Sequence, residues 1–302
     1  MSGMQGLKNR IKSVDDTAKI TNAMYLISST KLQRARKELA ETRPYFNELR
    51  LGIKTLFHHT EDLESPYFFA GERKDIDPSE KFAILVITAD KGMAGAYNQN
   101  ILKLTEWLYN KQPGSKIFML GEFGRKALDN KGIPYERDFL YTAQRPTLRT
   151  SREIAYRMID LYDSKEVNRI YILYTDMKSA LVSEPVMDLI LPFVKEDFDI
   201  WGENDTQEYS HFEFIPSREV VLEKIVYSYV TGFLYSALVD SFCSEQNARM
   251  AAMSAANDNA NNISNELQML YNRMRQGEIT NEIIEVSAGA KALAMHKKKE
   301  KK

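Results

Sequence analysis

Two stretches of this chain run without glycine or proline over lengths that a domain of its size cannot bury: residues 7–43 and residues 233–276. In the first, Leu7, Ile11, Val14, Ala18, Thr21, Tyr25, Ser28, Leu32, Ala35 and Leu39 step by four and three in turn, and the step continues through Phe46 and Ile53 to Leu56. In the second, Leu222, Ile225, Tyr229, Gly232, Ser236, Val239, Cys243, Gln246, Met250, Met253, Asn257, Ala260, Ser264, Leu267, Tyr271 and Met274 keep the same step. That spacing is the seam of a supercoiled helix. At ~1.5 Å per residue, the 37 residues of the first stretch span roughly 55 Å. A C-terminal helix of about 70 residues spans roughly 100 Å, where an ordinary helix has ~11–12 residues. They must pair with each other and project, and their connection through the middle of the chain makes the pair antiparallel. The first seam passes through Pro44, where a kink or a locally lost hydrogen bond is expected. Small or polar seam residues (Ala18, Thr21, Ser28, Gly232, Ser236, Ala260, Ser264) let helices approach but bury little apolar area. The far part of such a pair needs cover from something other than this chain.

The middle follows another rule. "KFAILVITA", "SKIFMLG", "RIYILYTDM" and "PVMDLILPF" predict strands, and "AYNQNILKLTEWLYNK", "GRKALDNKG" (closed by Gly132) and "TLRTSREIAYRMIDLY" predict helices. Continuous apolar strands alternating with helices indicate a mostly parallel sheet covered on both faces. The predicted fold is α/β plus long α: an antiparallel coiled coil of N- and C-terminal helices with an inserted Rossmann-like α/β domain. Its expected parts are an N-terminal helix over 1–60, the inserted domain over 61–216 (core about 80–195), a C-terminal helix over 217–290 and a basic tail over 291–302.

The chain has 302 residues, 43% of them apolar, and a formal charge of -1, which gives no overall bias toward nucleic acid. The layout is dipolar, however. Residues 1–40 carry Lys8, Arg10, Lys12, Lys19, Lys31, Arg34, Arg36 and Lys37 against Asp15, Asp16 and Glu38, and the chain ends "HKKKEKK". Such arms are solvated faces or complements to acidic partner surfaces. One cysteine, Cys243, allows no disulfide framework or thiolate metal site. With no membrane span and no signal-peptide core, a soluble chain is expected, touching membranes only indirectly.

"LVITADKGMAGAYNQN" (85–100) has the strand, glycine turn and helix order of a phosphate cradle. It lacks the terminal Gly-Lys-Ser/Thr of a P-loop, the third glycine of a dinucleotide fingerprint, and an acidic ribose partner about 20 residues on. The structural reading is a strand-to-helix turn around Asp90, in which Gly92 supplies a positive φ and Gly95 allows close packing. His58-His59 lacks the further ligands of a metal site, adjacent Asp15 and Asp16 cannot face one substrate on a helix, and Cys243 lies in the seam as a buried thiol. "NDNANNISN" (257–265) is either an exposed polar face or a surface that avoids permanent adhesion. No catalytic residue, metal or cofactor is assigned. A nucleotide-binding enzyme using residues 90–95 and a homodimeric coiled-coil tether remain the alternatives.

Three separated stretches resemble one family. "KITNAMYLISSTKL" (19–32), "ITADKGMAGAYNQN" (87–100) and "SEQNARMAAMSAANDNANNISNELQMLYNRMRQGEITNEIIEVSAGAKAL" (244–293) are similar, in order and spacing, to signatures of the γ subunit of F-type ATP synthases. The resemblance implies a non-catalytic rotor shaft at the cytoplasmic face of the cell membrane, one copy per complex. Its helices turn inside a hexamer of α and β subunits, with the inserted domain against the ε subunit and the c-ring. It places Lys19, Met24 and Arg249 near a β lever, and Arg275, Gln276, Thr280 and Glu282 at a polar catch on β. Ile279, Ile283, Ile284 and Val286 would form an apolar bearing, and Phe212 and Phe214 a foot toward the c-ring and ε. The family's acidic residue before a proline is Ile215 before Pro216 here, the tail "MHKKKEKK" is additional, and the chloroplast branch's cysteine pair is absent.

Overall fold

The computed structural model describes residues 2–59, 65–69, 80–179, 182–194, 215 and 217–299. The chain opens with helix α1 (Ser2–His59), 58 residues long, which continues past Pro44. It closes with helix α5 (Arg218–Lys299), 82 residues long, which runs past the expected end at residue 290. Between them lie β1 (Phe68–Phe69), β2 (Phe82–Ile87), α2 (Tyr97–Lys111), β3 (Lys116–Leu120), α3 (Glu122–Lys131), α4 (Leu148–Asp163), β4 (Arg169–Met177), β5 (Ser183–Leu191) and β6 (Phe193–Val194). Among the described residues no helix is long and apolar enough to cross a membrane.

The main sheet has the order β3-β2-β4-β5. β2 pairs in parallel with β3 and β4, while β5 is antiparallel to β4. The parallel part follows from "FAILVI", apolar on both faces and buried at every position. One face sends Phe82, Ile84, Val86, Ile117 and Met119 against Ile101, Leu102 and Leu108 of α2 and Leu128 of α3. The other sends Ala83, Leu85, Ile87, Phe118 and Ile172 against Ile154, Ala155 and Met158 of α4 and against Leu222, Val226, Val230, Leu234 and Leu238 of α5. The long C-terminal helix is thus itself one of the layers covering the sheet. α3 closes at Gly132 (φ 66°), and α4 starts at Thr147, whose hydroxyl accepts a hydrogen bond from the Thr150 amide at 3.1 Å.

The chain divides into two compact units that do not follow the boundary between helices and inserted domain. One is Met1–Ile27 with Ala251–Lys302; the other is Ser28–Met250. Within the second, α1 and α5 meet at a small seam residue. A Cβ on Gly232 would lie 2.1 Å from Phe46 Cδ1, so only glycine admits the ring there. Leu32, Ala35, Tyr235, Val239, Phe242 and Cys243 form the core beside it. Along α1 the stripe from Leu7 to Ile53 is buried or half-buried at every seam position, which is the heptad pattern realised.

Candidate functional site

Within the unit of residues 1–27 and 251–302, α1 and α5 run antiparallel. The Ser264 hydroxyl donates to Asp15 Oδ1 at 2.7 Å, and a Cβ on Gly3 would stand 3.4 Å from Met274 Cε. Gly3 stands opposite Met274, so among the described residues α1 lies along α5 as far as Met274. From Arg275 to Lys291 every residue except Glu278 is exposed. Arg275, Gln276, Thr280 and Glu282 are all in this bare section, and the Thr280 hydroxyl donates to the Gln276 carbonyl at 2.8 Å. Ile279, Ile283, Ile284 and Val286 are 46, 64, 58 and 74% exposed. Single exposed apolar residues are ordinary; here four lie within eight positions of one exposed helical section. Full burial by a partner would stabilise about 1.5–3 kcal/mol per large side chain.

The N-terminal candidates lie on α1. Lys19 is exposed and pairs with Asp16 at 3.2 Å, a contact of small energetic weight on an open surface. Met24 is half-buried, while Ile20, Leu26 and Ile27 point outward at 64, 57 and 49% exposure. These three lie off the heptad seam, as do exposed Ile263, Met269 and Leu270 on α5. Seam reasoning passed over them. Large apolar residues between seam positions of a long helix were the available signal.

Arg249 behaves differently from the other assigned contacts. It is buried, its Nη1 donates to Glu245 Oε1 at 2.6 Å, and its Nη2 donates to the Gly92 carbonyl at 3.1 Å. Glu245 is also buried; burial pushes its carboxyl above the usual range even beside Arg249. The guanidinium is therefore held inside the chain, against the turn that resembled a phosphate cradle.

That turn is also used internally. Asp90 accepts from the backbone amides of Glu122 at 3.1 Å and Ala143 at 3.2 Å. Asn98 Oδ1 accepts from the Ala89 amide at 2.9 Å, and buried Tyr97 shares a hydrogen bond with Ser241 at 2.7 Å. The expected roles of its two glycines are corrected. The left-handed positions are Met93 (φ 63°) and Gly95 (φ 55°), not Gly92. A Cβ on Gly95 would meet nothing closer than the Ala248 carbonyl at 4.0 Å, so Gly95 answers a backbone angle rather than a close approach. Gly92 contributes its carbonyl, a group every residue carries, which is why the sequence pattern did not reveal it.

Cys243 is 1% exposed, and burial, with Asp240 nearby, pushes its thiol up to about 12. Phe212 and Phe214 lie outside the described residues.

The family model described as "ATP synthase" matches residues 3–293. The chain is similar to the ATP synthase gamma chain of Ruminiclostridium cellulolyticum, 38% identical over 297 residues, covering 97% of this chain and 99% of that one. It is equally similar to the ATP synthase gamma chain of Acetivibrio thermocellus, 38% identical over 298 residues, covering 97% and 100%. In fold it resembles a chain of the Euglena gracilis mitochondrial ATP synthase OSCP/F1/c-ring assembly in rotational state 3. The TM-score is 0.68 at 18% identity, covering 98% of this chain and 96% of that one.

Proposed function

This chain belongs to the ATP synthase gamma-chain family, and we propose that it is the non-catalytic central rotor shaft of an F-type ATP synthase, peripheral to the cell membrane on its cytoplasmic side. One copy turns inside a sleeve of α and β subunits. The α/β domain rests on the ε subunit and the c-ring, with Phe212 and Phe214 in that foot, and membrane contact passes through the c-ring.

The observation that carries this reading is the bare end of α5. Its exposed apolar row begins beyond Met274, the residue opposite Gly3 of α1. A helix that leaves isoleucines without cover from its own chain fits a sleeve that supplies the cover. Exposed side chains also suit partners that change at every step, because no burial within the chain has to be undone first. The sleeve contacts differ at each angle, so each β site feels a different bias between its conformations. A ligand or partner shifts such an equilibrium only by its differential affinity for the two states. Ion-driven rotation thereby becomes ATP release, and hydrolysis drives the reverse. In this reading Arg275, Gln276, Thr280 and Glu282 form the catch, Ile279, Ile283, Ile284 and Val286 the bearing, and Lys19 and Met24 the contact with a β lever. Arg249 works from inside the chain and supports the surface on which those contacts are mounted.

The test is the reassembled complex with Arg275→Ala and Gln276→Ala together. Assembly should survive, with one copy of this chain per hexamer by native mass, while coupled ATP turnover drops. Unchanged turnover in the assembled enzyme overturns the catch, and a free homodimer in place of the complex overturns the shaft.

A further inference from the structure

We infer that Arg249 and Glu245 form a lock that fixes the α/β domain on the C-terminal helix against twist, and so sets how tightly ATP turnover is coupled to ion transport. The inference rests on the shaft reading above and adds the place where torque crosses from helix to domain. Along Leu222, Val226, Val230, Leu234 and Leu238 the helix meets the sheet through apolar contact. Apolar burial is non-directional; it resists separation more than it resists turning. Directional ties occur over the next turns. Tyr97 OH and Ser241 Oγ are 2.7 Å apart, Ser244 Oγ donates to the Thr175 carbonyl at 3.2 Å, and Arg249 Nη2 donates to the Gly92 carbonyl at 3.1 Å.

Arg249 is the last of these, one residue before the unit containing the domain ends at Met250. Its planar fork allows one arm to hold Glu245 on its own helix while the other holds the turn, which a point charge could not do. The fork is enclosed, with Arg249 5% and Glu245 3% exposed, so water does not loosen it. The arrangement also costs something. Glu245 Oε2 is buried without a hydrogen-bond partner among the described residues. Well-packed apolar side chains often match or exceed a buried ion pair in stability, so fixing one register is the property this pair supplies.

The experiment uses the complete complex in ion-tight vesicles and reads ATP hydrolysis and ATP-driven ion pumping together. Glu245→Leu with Arg249→Met keeps volume and removes the polar ties this pair makes, while the Tyr97–Ser241 and Ser244–Thr175 bonds stay in place. Arg249→Lys keeps the charge but not the fork. For the double variant we expect wild-type assembly, with ions pumped per ATP hydrolysed reduced roughly two- to tenfold. Arg249→Lys should fall between it and the wild type. Should the double variant fail to assemble, Arg249→Lys and Tyr97→Phe decide, each expected to lower the ratio of ions pumped to ATP hydrolysed. An unchanged ratio, or hydrolysis and pumping falling in proportion, overturns the lock. A wild-type chain that does not enter the complex overturns both the shaft and the lock, and is seen before any variant is made.

Discussion

The C-terminal helix is two objects joined end to end. From Ile225 to Met250 no residue is exposed, because the sheet, α1 and the 90–98 turn close around it. From Arg275 to Lys291 nearly every residue is exposed. Yet one heptad step runs from Leu222 to Met274, through the buried half and up to the edge of the bare one. The same periodicity therefore serves a core and a shaft. What differs is the residues between the seam positions. Leu234, Leu238 and Phe242 lie off the seam and are buried, whereas Ile283 and Ile284 stand among Asn281, Glu282 and Glu285 and are left open. Burial makes a position matter for folding, and exposure leaves it available to partners.

The contrast can be broken at several points. Leu234→Ala in the buried half should cost about 2–5 kcal/mol, lowering the thermal midpoint of the isolated chain; a change no larger than that of a surface variant would mean the half is not packed as described. Gly232→Ala forces a Cβ toward the Phe46 ring and should cost about 1–3 kcal/mol, relieved by Phe46→Leu in a double-mutant cycle. Additivity of the two would show that the helices do not meet there. Ile283→Ala with Ile284→Ala in the bare half should move the isolated chain's stability by only about 0.5 kcal/mol per site. In the assembled enzyme the same pair should lower turnover, and a large stability loss in the isolated chain would instead reveal an intramolecular role.

The smallest effect is chemical. Because burial raises the Cys243 thiol to about 12, the native chain at pH 8 holds very little thiolate, and the fraction grows only as pH rises toward that value. The unfolded thiol titrates near its ordinary value of about 8.5. Alkylation should therefore be slow in the native chain and fast in denaturant. Equal rates would open the buried half to solvent.

Much of this was legible in the residues. The 4-3 step located both helices, "FAILVI" announced a strand covered on both faces, and Gly132 marked the end of α3. The bare row at Ile279, Ile283, Ile284 and Val286 was assigned from resemblance to a family; its exposure required the register of α1 on α5. The inner tie was not legible. Arg249 looks like any basic residue on a helix, and its partner is a backbone carbonyl 157 positions away. Glu245, four residues before it, reads as a routine helical ion pair until burial turns it into the base of a lock.

By itself, then, the sequence determined where helix and strand form and which stripe of each helix turns inward. Those follow from local periodicity and side-chain volume, properties carried by neighbouring residues. Only the tertiary structure decided that α5 is a layer of the α/β domain, that its residues past Met274 are left exposed, and that Arg249 reaches the Gly92 carbonyl of the turn. Each depends on which distant segment arrives opposite a given face, and that meeting is governed by packing and burial across the chain rather than by any pattern within one segment.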